Sequence, residues 1–134
     1  MTVIIDSSAL VAYLLEESEF EKIKDLLTAG VESPALLVME ASNAVLEASR
    51  NKRIGREDAD KAIGVMLKLL ESNIKVHEEW DLVQSALRIA ADHGLTAYDS
   101  VYLALANKLH GSLASRDRKQ MEAAKTLGIE VAST

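Results

Sequence analysis

Short apolar runs alternate along the chain with longer segments whose apolar residues recur every three or four positions. The short runs are typical of buried strands and cover residues 2–5, 31–33, 74–76, 112–115 and 129–132. The longer segments are typical of amphipathic helices and cover residues 9–17, 19–29, 35–51, 56–71, 80–92, 98–109 and 118–127. This alternation predicts an α/β fold, a parallel sheet of about five strands flanked by helices.

Local capping residues support these boundaries. Ser7 and Ser8 precede the first predicted helix and are good N-caps, and Thr96 can cap the helix over 98–109. Gly30 and Gly128 follow helical segments where a left-handed residue often ends a helix. We therefore expect compact connections between the elements and one domain over residues 1–134.

Composition narrows the class of protein. The 134 residues are 49% apolar and 27% charged, which fits one globular domain. Cysteine is absent, so disulfides and thiolate chemistry are excluded. The first apolar run carries Asp6 and no preceding basic residue, which argues against export and against membrane insertion and leads us to expect a cytoplasmic location. The net charge of −6 is unusual for a protein that binds polyanions.

Two aspartates follow strands of the predicted sheet. Asp6 directly follows the first strand, and Asp117 comes two residues after the strand at 112–115. In a parallel sheet, ligands bind beyond the carboxyl ends of the strands, so both side chains are expected at one edge. Taken singly, each is equally explained as a helix cap.

Two further acids lie on predicted helices. Glu40 falls within the apolar stripe of the helix over 35–51, where an ionised carboxylate needs a partner. Asp99 lies in the first turn of a helix that is apolar nearly all round. The alternatives are a salt bridge at the rim of the core for Glu40 and a helix-dipole contact for Asp99.

Four acids at one sheet edge would repel each other unless a cation lay between them. Oxygen-only ligands select hard divalent cations, which makes Mg²⁺ or Mn²⁺ the expected cofactor. Such ions activate water and neutralise a leaving oxygen in phosphate-ester hydrolysis. The acids therefore predict metal-dependent chemistry on a phosphodiester.

Four segments carry a resemblance to a known family. They are VIIDSSAL at 3–10, PALLVME at 34–40, AYDSVYLALA at 97–106 and LASRD at 113–117. In order and spacing they resemble the signature regions of PIN-domain ribonucleases, especially VapC-like toxins of toxin–antitoxin pairs. The resemblance implies that the catalytic and metal-binding acids are Asp6, Glu40, Asp99 and Asp117.

The same resemblance implies further properties. Ser8 and Ser115 would be supporting hydroxyls near the metal, although the position of Ser115 is often threonine in the family. The substrate would be RNA, cut by an endoribonuclease that leaves a 5′-phosphate and a 3′-hydroxyl. The expected partners are a VapB-like antitoxin protein and a second copy of the chain in a homodimer.

Basic residues beside Asp117 offset the negative net charge locally. Arg116, Arg118 and Lys119 are candidates for phosphate contacts. Trp80 is interpreted as a residue at the edge of the core, with a dimer contact as the alternative, and the three histidines are interpreted as surface or helix-end residues.

Two other functions remain open from the sequence. One is an aspartate-dependent phosphatase, although Ser8 stands where such enzymes carry a second acid. The other is a PIN-like binding module with weak or no catalysis, although none of the four acids is missing.

Overall fold

Four short parallel strands form the centre of the protein, and helices cover them. The computed structural model describes residues 1–132 and 134. Along the chain the elements are β1 (Val3–Ile5), α1 (Ser7–Leu14), α2 (Phe20–Ala29), β2 (Val31–Pro34), α3 (Leu36–Arg50), α4 (Arg56–Ser72), β3 (Ile74–His77), a 3₁₀ turn (Trp80–Leu82), α5 (Val83–His93), α6 (Ala97–Leu109), β4 (Ser112–Ala114) and α7 (Arg118–Thr126).

The strand order is β3-β2-β1-β4, and every pair is parallel. On β1, Ile4 lies opposite Glu32 of β2 on one side and Leu113 of β4 on the other. The carboxyl ends of β1 and β4 therefore meet at the same edge, with β2 beside them. The predicted parallel α/β architecture is confirmed.

The last predicted strand forms only one bridge. Leu113 donates its N–H to the carbonyl of Glu130 at 2.8 Å and accepts the N–H of Ala132 at 2.8 Å. This makes a parallel bridge between Leu113 and Val131. The segment at 129–132 therefore pairs around one residue of β4 and is not a full strand.

The start of α1 differs from the prediction that Ser7 or Ser8 caps it. Both serines lie inside the helix, and Asp6 is the N-cap with φ −96° and ψ 174°. This extended conformation continues the direction of β1, so the Asp6 carboxylate reaches the N–H of Ala9 at 2.9 Å. The strand thus passes into the helix without a loop.

Helix α6 lies at the centre of the core. Its residues 100–106 are all buried, as the apolar sequence of this helix predicts. Trp80 was expected at the edge of the core, and this was wrong: its side chain is 80% exposed, because the 3₁₀ turn directs the following Leu82 inward instead. Within the described residues, no helix is long and apolar enough to cross a membrane.

Candidate metal centre

Asp6 and Asp117 lie at the carboxyl edge of the sheet, each at the start of a helix. Oδ1 of Asp6 accepts the N–H of Ala9 at 2.9 Å, and Oδ1 of Asp117 accepts the N–H of Gln120 at 3.0 Å. Both aspartates are therefore helix caps, as the simpler interpretation of each suggested. The caps also fix each carboxylate at the sheet edge, so the capping role does not exclude a site.

Ser8 and Ser115 join the ends of β1 and β4. The Ser8 hydroxyl donates to Oδ1 of Asp6 at 2.7 Å and lies 3.4 Å from the Ser115 hydroxyl. Ser8 also accepts the N–H of Arg116 at 2.8 Å, and Ser115 accepts the N–H of Asp117 at 3.0 Å. The two hydroxyls thus hold the loop after β4 against the start of α1, which sets Asp117 beside Asp6.

Glu40 is half-buried in the second turn of α3, the helix that follows β2. Its Oε1 accepts the hydroxyl of Tyr102 at 2.5 Å. Burial, together with the Glu40 carboxylate, raises the pKa of Tyr102 well above its usual range, so the phenol remains a donor. Tyr102 was missed in the sequence because its helix is apolar and its ring fits a core position.

Asp99 lies in the first turn of α6, with its side chain partly buried. Thr96 caps this helix as predicted, accepting the N–H of Asp99 at 3.0 Å. The buried side chain of Gln120 donates to the carbonyl of Asp99 at 3.1 Å and ties α6 to α7. The sequence does not single out Gln120, since a polar residue in α7 is expected to face solvent.

The four carboxylates influence one another electrostatically. Burial raises the pKa of Asp6 to about 6, and the charge of Asp117 adds to that shift. Burial also raises the pKa of Asp99 and of Glu40, with a further increase at Asp99 from Asp117 and at Glu40 from Asp99. The repulsion therefore connects all four acids into one cluster.

The donor set fits a hard divalent cation. All four candidate groups are carboxylates, and Mg²⁺ is usually held by one or two protein carboxylates, several waters and substrate phosphates. Among residues 1–132 and 134, no group of three or more His, Cys, Asp or Glu side chains lies close enough together to hold a metal ion.

The three basic residues beside the site point in different directions. The Arg116 guanidinium donates to the carbonyl of Ser18 at 2.6 Å, in the connection between α1 and α2. Arg118 is exposed in the first turn of α7. Lys119 donates to the carbonyl of Gly94 at 2.9 Å. Its charge lowers the pKa of Asp99 and so offsets part of the increase that burial causes.

The sequence matches the PIN domain family over residues 3–126. The chain belongs to the PIN domain family. It is 27% identical over 124 residues to Ribonuclease VapC3 of Pyrobaculum aerophilum, a match that covers 91% of this chain and 94% of the relative. It is 33% identical over 125 residues to Exonuclease VapC9 of the same organism, a match that covers 93% of this chain and 86% of the relative.

Solved structures share the PIN fold. A crystal structure of a Pyrobaculum aerophilum protein superimposes with a TM-score of 0.75 at 27% identity, covering 98% of this chain and 84% of that one. VapC20 of Mycobacterium tuberculosis is described as a toxin that cleaves the sarcin-ricin loop. It superimposes with a TM-score of 0.66 at 17% identity, covering 91% of this chain and 95% of that one. The resemblance to VapC-like PIN domains is thereby confirmed.

The raised pKa of Asp6 predicts how stability depends on pH. In the folded protein the pKa is about 6 against an ordinary 3.8, so the folded state binds more protons than the unfolded state between these values. The free energy of unfolding in EDTA should therefore fall by roughly 2–3 kcal/mol as pH rises from about 4 to about 6.

The variant Asp6→Asn should show a smaller fall, because its amide oxygen can still accept from Ser8 and Ala9 while the Asp6 carboxyl no longer titrates. The part that remains comes from Glu40 and Asp99, whose pKa values are also raised. Urea unfolding at several pH values measures the difference between wild type and variant. Asp25→Asn changes an exposed acid of α2 and should follow the wild type. A wild-type protein that gains stability over this window relative to Asp6→Asn would show that the ionised Asp6 is a stabilising structural group.

Proposed function

We propose that this PIN domain is a metal-dependent endoribonuclease and the toxin component of a type II toxin–antitoxin system. The observation that carries the proposal is the single electrostatic cluster of Asp6, Glu40, Asp99 and Asp117 at the carboxyl edge of the sheet. The names of the relatives support it, since one is called a ribonuclease and a structural neighbour is called a toxin.

In this proposal the four acids hold Mg²⁺ or Mn²⁺. When bound, such an ion polarises the phosphate, lowers the pKa of an attacking water and neutralises the leaving oxygen. Ser8 and Ser115 keep Asp6 and Asp117 adjacent. Water attacks phosphorus and the bond to the 3′-oxygen breaks, which leaves a 5′-phosphate and a 3′-hydroxyl.

The structure does not favour the phosphatase alternative. Ser8 occupies the position of the second acid in such enzymes, and its hydroxyl donates to Asp6. A general acid would instead have to give its proton to a leaving group. A binding module without catalysis has no specific support either, because all four acids are present at the edge.

Cleavage of a circular single-stranded RNA tests the proposal directly. A circle has no ends, so only an endonuclease can open it. We expect wild type with Mg²⁺ or Mn²⁺ to convert the circle into a linear product, and Asp99→Asn to be slower by about 100-fold or more. Replacing residues that only support metal ligands already lowers metal affinity or activity about 10–100-fold, so replacing a ligand should lower activity at least as much. Gel electrophoresis of the labelled RNA measures both rates.

Asp92→Asn is the matched control for this assay, because Asp92 is an exposed acid in α5. It should cleave the circle like wild type. Cleavage that continues in excess EDTA would contradict metal dependence. Degradation of linear RNA with the circle left intact would instead indicate an exonuclease, the activity named for the relative VapC9.

We further propose that Lys119 contacts an RNA phosphate. It is the basic residue whose charge acts on Asp99, and its ammonium lies at the start of α7 near the acids. The proposal extends to Arg118, which is exposed one residue earlier, and to Arg116, whose guanidinium would have to leave the carbonyl of Ser18 to reach a phosphate.

Replacing Lys119 should weaken the reaction on RNA in a salt-dependent way. We expect Lys119→Ala to lower kcat/KM roughly three- to ten-fold and to reduce the slope of log kcat/KM against log salt by about 0.7, the value for one lost contact to a single strand. Lys125→Ala, an exposed lysine in the last turn of the same helix, is the control and should change neither. Equal effects of the two variants on kcat/KM would show that the reaction depends on the overall charge of the protein and not on a phosphate contact at Lys119.

Two protein partners complete the proposal. The names of the relatives favour a VapB-like antitoxin. A second copy of the chain is favoured by an apolar stripe on the 3₁₀ turn and α5, where Trp80, Val83 and Leu87 are 80%, 47% and 54% exposed. Exposed apolar stripes of this kind are typical of subunit interfaces.

The stripe predicts a homodimer that one charge can disrupt. At about tens of micromolar, light scattering should give the mass of two chains for wild type and of one chain for Leu87→Asp, because burying a carboxylate in an apolar interface is unfavourable. Val65→Asp places the same charge on α4, at a residue that is 42% exposed, and should remain a dimer. A monomeric wild type would show that the homodimer proposal is wrong.

A further inference from the structure

Two of the four acids are held by backbone groups close to them in sequence. The N–H of Ala9 fixes Oδ1 of Asp6, and the N–H of Gln120 fixes Oδ1 of Asp117. Glu40 cannot be held in this way. It lies in the second turn of α3, where backbone N–H groups are already used within the helix.

Tyr102 supplies the missing contact for Glu40. Its hydroxyl donates to Oε1 at 2.5 Å, a distance typical of a charge-assisted hydrogen bond to a carboxylate. The tyrosine is only 1% exposed, so packing fixes its ring, whereas the glutamate side chain has three rotatable bonds and is half-buried. The rigid group therefore sets the position of the flexible one.

The placement of Tyr102 on α6 gives this contact a second consequence. Asp99 and Tyr102 are three residues apart on the same helix and share a face. Helix α6 thus carries one candidate ligand itself and holds a second, Glu40 of α3, through the phenol. Helix α6 therefore helps to set the positions of the Asp99 and Glu40 carboxylates relative to each other.

We propose that Tyr102 is a positioning residue that orients the Glu40 carboxylate for the metal ion. This inference rests on the proposed function, because it assigns Tyr102 a role at the same site. Removing the hydroxyl leaves Glu40 in place and charged, and its contact with Ser7 remains, but the hydrogen bond that ties Oε1 to α6 is lost. The loss should appear as a lower metal affinity. Changes of groups that orient metal ligands typically weaken binding 10–100-fold.

The test measures binding of Mn²⁺ alone, without RNA, by titration calorimetry on the full chain. We expect Tyr102→Phe, which removes one oxygen, to raise the Kd for Mn²⁺ about 10- to 100-fold. The matched control is Tyr13→Phe, the same change in a ring that packs 6.3 Å from Phe20, and its Kd should stay within about twofold of wild type. Melting in EDTA should show both variants folded.

A double-mutant cycle separates orientation of Glu40 from a general structural effect. In a Glu40→Gln background, adding Tyr102→Phe should change the Kd by less than about twofold, because the residue acts through the carboxylate that is already gone. An unchanged Kd in the single variant, an equal loss in both backgrounds, or a Tyr102→Phe protein that no longer folds would each overturn the inference. A wild type that binds no Mn²⁺ would overturn the proposed function, and the inference with it.

Discussion

Repulsion between like charges is the constraint around which this protein is built. Asp6, Glu40, Asp99 and Asp117 come from four separate segments, and burial and neighbouring carboxylates raise the pKa of three of them. Unpaired buried charge destabilises a fold, so the arrangement must be held by other interactions. The rest of the structure supplies them, and the same negative charge is what the proposed divalent cation would offset.

The scaffold resists this repulsion with hydrogen bonds that serve two purposes. The caps at Asp6 and Asp117 stabilise the starts of α1 and α7 and at the same time fix the two carboxylates. Ser8 and Ser115 join the ends of β1 and β4, neighbouring strands whose parallel pairing brings distant parts of the chain together. Stability and site geometry therefore depend on the same contacts, and a change to one affects both.

Local patterns along the chain are enough to predict the architecture and the candidate acids. Alternation of strand-like and helix-like periods is a local property, and it predicts a parallel sheet because adjacent strands joined by helices must run the same way. Asp6 at the end of β1 and Asp99 in the first turn of α6 could be located because the same local patterns show where each element begins and ends. Their spacing within four segments also carried the family resemblance, which the match over residues 3–126 confirms.

Contacts between distant segments could not be predicted in this way, because they depend on how the elements pack. The hydrogen bond from Tyr102 to Glu40 joins residues 62 positions apart, and no pattern along the chain distinguishes this tyrosine from other core residues. Asp6 caps α1 instead of a serine, because the extended chain of β1 continues to Asp6 and places its carboxylate at the helix start. Trp80 likewise faces solvent because a 3₁₀ turn, not an α-helical one, begins there. Periodicity specifies which face of an element is apolar, whereas side-chain contacts depend on how elements pack in three dimensions.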